Sequence, residues 1–91
     1  MPEEVDPTIK TEFDDVVERS KNLPNQPPQV MLEMYGLYKQ ALKGDVTGDR
    51  PGRMDIRGRY KYDAWASRKG MSAEDAMKAY IELIKKLESE K

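Results

Sequence analysis

Two phenols and an ammonium recur at helical spacing in Tyr35-Gly36-Leu37-Tyr38-Lys39-Gln40-Ala41. Tyr35, Tyr38 and Lys39 stand at i, i+3 and i+4, so on a helix they share one face. Such a face can stack on a flat base and hydrogen-bond a phosphate. The same spacing also suits tyrosines at the edge of a core with wet hydroxyls. A second chemical run is Arg57-Gly58-Arg59-Tyr60-Lys61-Tyr62-Asp63-Ala64-Trp65, in which cations and aromatics interleave as in many nucleotide and nucleic-acid sites. Read blandly, it is a surface helix with Tyr62 and Trp65 turned inward and its charges in water. Met31, Met34, Met54 and Met77 lie on or near apolar stripes and add adaptable apolar volume, in a core or at a ligand site.

The residues that are absent narrow the chemistry further. The chain of 91 residues has no histidine and no cysteine. Ser-His, Cys-His, thiolate and imidazole-metal sites are therefore excluded, along with the usual general base near neutral pH. Carboxylates, lysines and serines remain, and catalysis through them is not expected.

Net charge is only −1, yet its layout is dipolar. Glu3, Glu4, Asp6, Glu12, Asp14, Asp15 and Glu18 crowd the first twenty residues. Arg50, Arg53, Arg57, Arg59, Lys61, Arg68 and Lys69 crowd a later stretch of the same length. A basic stretch beside aromatics suggests a polyanion with a flat group; a solvated charged face is the plainer alternative.

These residues need elements to hold them. The length allows one domain, 1–91. Aliphatic content is low enough to suit disorder, but the small net charge, six Met, five Tyr and one Trp argue for a packed chain. Four amphipathic helices are legible. The first begins at Asp6-Pro7, a cap followed by proline, carries Ile9, Phe13, Val16 and Val17, and should end near Leu23-Pro24. The second follows Pro27-Pro28, carries Val30, Met31, Met34, Tyr35, Tyr38, Ala41 and Leu42, and stops at Gly44. Residues 44–52 read as a long ordered loop. A third, shorter helix is expected from about Gly58 to Lys69. The fourth starts with the cap at Ser72 and carries Ala76, Met77, Tyr80, Ile81, Ile84 and Leu87. No strand alternation competes, so the fold class is all-α, a helical bundle. No run is long enough to span a membrane, and Met1-Pro2-Glu3-Glu4-Val5 lacks the features of a signal peptide, so a cytoplasmic location is expected.

Taken together, several motifs in register resemble the acyl-CoA-binding protein family. They are Tyr35 to Ala41 with Gly44-Asp45, Arg50-Pro51-Gly52, Lys61-Tyr62-Asp63-Ala64-Trp65, Gly70-Met71-Ser72 and Asp75 to Ile81. The likeness covers most of residues 12–88 and leaves residues 1–11 as an N-terminal extension. It implies an up-down-down-up four-helix fold that holds medium- to long-chain acyl-CoA across one face, as a non-catalytic carrier and pool former with no cofactor and no metal. The implied ligand-binding residues are Lys21, Tyr35, Gly36, Leu37, Tyr38, Lys39, Arg57, Lys61 and Tyr80, with Val17, Met31 and Leu32 along the acyl chain. In that picture Lys39 and Lys61 bracket the 3′-phosphate, Tyr35 donates to it and Tyr38 lies against the adenine. Arg57 and Arg59 stand where lysines are usual, and Tyr62 where tryptophan is usual. A monomer is expected, with transient contact with acyl-CoA-using enzymes or membranes.

Two other readings compete. A nucleic-acid-binding module could use the basic third helix, although the acidic first helix and the net charge oppose that, and no nucleic-acid partner is expected. A CoA-dependent enzyme would need a carboxylate such as Asp45 or Asp63 as base.

Overall fold

A computed structural model describes residues 5–90. Glu3, Glu4 and the rest of the Met1–Glu4 stretch used in the sequence reading lie outside the described residues, as does Lys91. Four helices follow in order: α1 (Pro7–Ser20), α2 (Pro28–Lys43), α3 (Ile56–Ala66) and α4 (Ala73–Ser89).

Local chemistry explains each start. The Asp6 carboxylate accepts from Thr8 N–H, and Pro7 occupies the first helical position, where a missing N–H costs nothing. Residues 7–11 thus belong to α1 itself. Val5 packs against the core, and Asp6 N–H donates to Glu74 at the start of α4. Pro28 likewise opens α2, and Gly44, with φ of 77°, ends it in a backbone region that favours glycine. Ser72 Oγ accepts from Asp75 N–H, and Glu74 and Asp75 place negative charge in the first turn of α4.

Two boundaries differ from the sequence expectation. α1 stops at Ser20, and the chain turns through residues 21–23 before Pro24. α3 runs from Ile56 to Ala66, starting two residues and ending three residues earlier than expected. Asp55 is the reason for the early start: its carboxylate accepts from Gly58 N–H and caps the helix. Gly58 therefore sits inside the first turn, with the Asp55 carboxylate where a Cβ would go.

Pairings along the helices fix the topology. Asp6 meets Glu74 and Arg19 meets Glu88, so α1 and α4 run the same way. Gln40 near the end of α2 reaches Met71 just before α4, so α2 opposes α4. Gly36 lies against Ala64, and the Gly44 carbonyl accepts from Trp65 Nε1, so α2 and α3 are parallel. The order is up-down-down-up. α2 and α4 form the centre; α1 flanks α4, α3 flanks α2, and α1 and α3 do not pack on each other.

The core is Phe13, Val16, Leu37, Ala41, Ala76, Met77, Tyr80, Ile81, Ile84 and Leu87. α4 supplies most of it and α3 supplies no fully buried residue. The molecule is consequently a thin slab, 40 × 39 × 16 Å.

Candidate functional site

α3 carries the cations, so the way it is held decides the site. Gly36 lets the backbones of α2 and α3 touch: a Cβ there would collide with the Ala64 carbonyl oxygen and lie 2.9 Å from its carbon. Around that contact, polar ties hold the loop over residues 44–55. Trp65 Nε1 donates to the Gly44 carbonyl at 2.7 Å, and Tyr62 Oη donates to the Gly48 carbonyl at 3.0 Å. Arg50 donates through Nε and Nη2 to the two Asp63 oxygens at 2.9 and 2.7 Å, a bidentate pair. The Arg50 hydrogen bond holds the Asp63 carboxyl below the usual range, so its negative charge is committed to the loop.

At the far end of α2 the fully buried Gln40 donates from Nε2 to Asp45 Oδ1 at 2.9 Å and to the Met71 carbonyl at 2.8 Å. Gly70 N–H donates to the same Asp45 oxygen at 2.8 Å. These donors, Gly70 first, lower the Asp45 pKa from its ordinary carboxylate value. Asp45 and Asp63, the two carboxylates considered as bases, are both occupied as structural acceptors, an arrangement poor for proton abstraction.

Between the parallel helices stand two cation–aromatic contacts. Lys61 Nζ lies 5.5 Å from the Tyr35 ring centre, and Lys39 Nζ lies 4.8 Å from the Trp65 ring centre. The spacing is i, i+4 on both helices, Tyr35 to Lys39 and Lys61 to Trp65, so each helix gives one ring and one ammonium. Among the described residues neither lysine is paired with a carboxylate, and neither is Arg57. Next to them a groove of about 430 Å³ is lined by Pro28, Met31, Leu32, Arg57, Tyr60 and Lys61. Its size suits a small-molecule site, and its mostly apolar lining with two cations suits a ligand that is fatty at one end and anionic at the other. Met31, 58% exposed, is shared with a smaller hollow of about 130 Å³ formed with Ser20, Leu23, Pro24, Asn25, Gln26 and Met34. A larger depression of about 650 Å³ runs along α1, but its lining of Pro7, Thr8, Thr11, Glu12 and Asp15 is acidic and repels phosphate.

Other expected residues separate from this cluster. Gly36 and Leu37 are buried and act in packing. Tyr38 leans toward α1 and α4, 6.2 Å from both Phe13 and Tyr80 between ring centres, and Phe13 and Tyr80 meet edge-on at 5.3 Å. Tyr80 is 4% exposed and donates to Ser20 Oγ at 3.2 Å; burial raises its phenol pKa. Val17 is half-buried against the core. Lys21 lies at the end of α1 with its side chain exposed and 3.2 Å from Glu18. Pro28 joins the groove, and so do Tyr60 and, at its rungs, Trp65, which belong to the basic-aromatic run but not to the implied ligand contacts. The Lys61–Trp65 spacing matches that of Tyr35–Lys39 and was the available signal for Trp65; nothing in sequence pointed to Pro28. Among the described residues no group of three His, Cys, Asp or Glu side chains could hold a metal, and no helix is long and apolar enough to cross a membrane.

This slab of four helices sets two cations over aromatic rings beside an apolar groove, an arrangement suited to an amphiphile. The family model for acyl-CoA-binding protein matches residues 10–84. An acyl-CoA-binding protein of Gossypium hirsutum is 46% identical over 80 residues, spanning 87% of this chain and 90% of the relative. Acyl-CoA-binding protein homolog 1 of Caenorhabditis elegans is 41% identical over 76 residues, spanning 82% and 88%. The crystal structure of Oryza sativa acyl-CoA-binding protein 2 superposes with a TM-score of 0.89 at 43% identity, covering 91% of each chain. The chain belongs to the acyl-CoA-binding protein family.

Proposed function

We propose that this protein binds medium- to long-chain acyl-CoA esters with high affinity, in and around the α2–α3 groove, and serves as a non-catalytic intracellular carrier and pool former. The observation that carries the reading is the pair of unpaired ammoniums, Lys39 and Lys61, held over Trp65 and Tyr35 at the edge of the apolar groove. Two fixed cations suit the 3′-phosphate of CoA, and Tyr35 offers a face to the adenine or a hydroxyl to the phosphate. Met31 and Leu32 supply the apolar floor for the fatty tail. Each methylene removed from water contributes about 0.8 kcal/mol, so a chain of a dozen carbons stabilises the complex by several kcal/mol after ordering costs. Tyr38 and Tyr80 meet each other and Phe13 on the α1–α4 side, outside that groove.

Calorimetric titration tests the proposal. Palmitoyl-CoA is expected to bind far more tightly than free CoA. Lys61→Ala removes a charge-assisted bond contributing about 1.5–3 kcal/mol, so affinity for palmitoyl-CoA should fall by roughly tenfold or more. Affinity for the dephospho-CoA ester should barely change. Equal affinity for CoA and its palmitoyl ester would refute the acyl half of the reading. Unchanged affinity of the Lys61→Ala protein would remove that residue from the site.

A further inference from the structure

Beyond the groove, with Tyr60 as the shared border, α3 and the end of the preceding loop carry a second cluster. Met54 is 97% exposed at the end of the loop, and Ile56 and Tyr60 are 62% and 59% exposed. Ile56 and Tyr60 stand with Arg50, Arg53 and Arg59, and Met54 follows Arg53 directly in the chain. Arg50, Arg53, Ile56, Arg59 and Tyr60 line a separate cleft of about 320 Å³. Among the described residues, Arg50 alone of the cleft has a carboxylate partner, Asp63, and the Arg59 Nε–H is shielded from solvent without a hydrogen-bond acceptor. Asp55, the nearest acid in sequence, turns its carboxylate back to Gly58 N–H.

We propose that this surface docks the protein on an anionic lipid bilayer, with Met54 and Ile56 entering the headgroup–acyl boundary and the arginine cleft taking a lipid phosphate. Charge complementarity favours that occupant. Glu12, Asp14, Asp15 and Glu18 lie on α1, the opposite flank of the slab, so a negative membrane attracts α3 and repels α1, orienting the molecule. The exposed side chains separate a bilayer from other polyanions. A free phosphate or a nucleic-acid backbone could fill the arginine cleft but would leave Met54 in water, whereas an interfacial site buries apolar tips and neutralises cations together. Tyr60 borders both this cleft and the α2–α3 groove, so docking brings the groove mouth to headgroup level. Docking of this kind needs no bound acyl-CoA, so ligand-free protein shows it.

Sedimentation with vesicles of phosphatidylcholine, alone and with about 30 mol% phosphatidylserine, reads the partition directly. Binding to the anionic vesicles is expected to exceed that to neutral ones by roughly tenfold or more at low salt, and to fall as salt rises. Arg53→Glu should reduce it roughly tenfold or more, since each basic residue near such a surface contributes about fivefold and the reversal adds repulsion. Met54→Asp should reduce it several-fold. Both positions are exposed, and far-UV circular dichroism checks that the helices persist. Equal binding to both vesicle types overturns the proposal. So does a Met54→Asp protein that binds like wild type, which would reduce the surface to general electrostatics. Complete displacement by millimolar glycerophosphoserine would mark a site for a soluble headgroup and overturn bilayer docking.

Discussion

Replacing Gly36 by alanine probes the contact on which the α2–α3 site rests. In an exposed helix the change would stabilise, because alanine is favoured over glycine by about 0.8–1.0 kcal/mol. Here the new Cβ would lie 2.9 Å from the Ala64 carbonyl carbon and still closer to its oxygen. Ordinary carbon contacts lie at about 3.5–4.0 Å, so the two helix backbones must part by more than half an ångström. Neither clashing atom is the end of a flexible side chain, so no rotamer change relieves it. Overpacking costs about 1–3 kcal/mol, and a backbone-on-backbone clash belongs in the upper part of that range, about 2–3 kcal/mol, leaving a net destabilisation of roughly 1–2 kcal/mol after the propensity gain. For a domain of this size that lowers Tm by roughly 4–16 °C in a thermal melt. Separation of the helices also pulls Lys61 from Tyr35 and Lys39 from Trp65, so palmitoyl-CoA affinity should drop at temperatures where the protein remains folded. Gly52→Ala is the control: no atom lies within 4 Å of its added Cβ, and it should melt within a degree or two of wild type. Equal stability of the Gly36→Ala and Gly52→Ala proteins would refute the close approach and the account of the site built on it.

Two further outcomes follow from the ties around the loop. Trp65→Phe removes the Nε1 bond to the Gly44 carbonyl and should cost about 1–2 kcal/mol, read as a lower midpoint in urea; an unchanged midpoint would mean that water replaces the bond without loss. Asp45, Asp63 and Glu88 all have folded-state pKa values below their ordinary ones: Asp45 through Gly70 N–H, Asp63 through Arg50, Glu88 through Arg19. As pH falls below about 4, the unfolded chain takes up protons that the folded one resists, so stability present at neutral pH is lost toward acid. Asp45→Asn should lower the urea midpoint at neutral pH and flatten its acid decline. A decline as steep as that of wild type would show that Asp45 does not contribute to it.

Particular residues show what was legible in the sequence. Asp6-Pro7 and Ser72 with Asp75 marked the starts of α1 and α4 because capping is local chemistry, complete within four residues. The stripe from Ala76 to Leu87 predicted most of the core on the same grounds. The start of α3 was placed two residues late because the Asp55 cap went unread; its carboxylate accepts from Gly58 N–H. Tyr35 and Lys39, at i and i+4, both face α3, where they meet Lys61 and Trp65. Tyr38 shares their nominal face yet joins Phe13 and Tyr80, because a turn of about 60° is enough to direct it to a different neighbouring helix. Gln40, read as an ordinary position inside a motif, is fully buried and links α2, the loop and the approach to α4. No local pattern encodes that, because its partners Asp45 and Met71 reach it only after the chain has doubled back.

The 16 Å thickness described above has a consequence for any fatty guest. An α-helix with its side chains is about 10–12 Å across, so the slab has no room for an enclosed chamber the length of a lipid tail. A bound tail would have to lie along the surface and become part of the wall, shielding side chains such as Met31 that otherwise meet water. Guest and host would then share one hydrophobic layer, and heat resistance would climb with tail length for the same reason that affinity does.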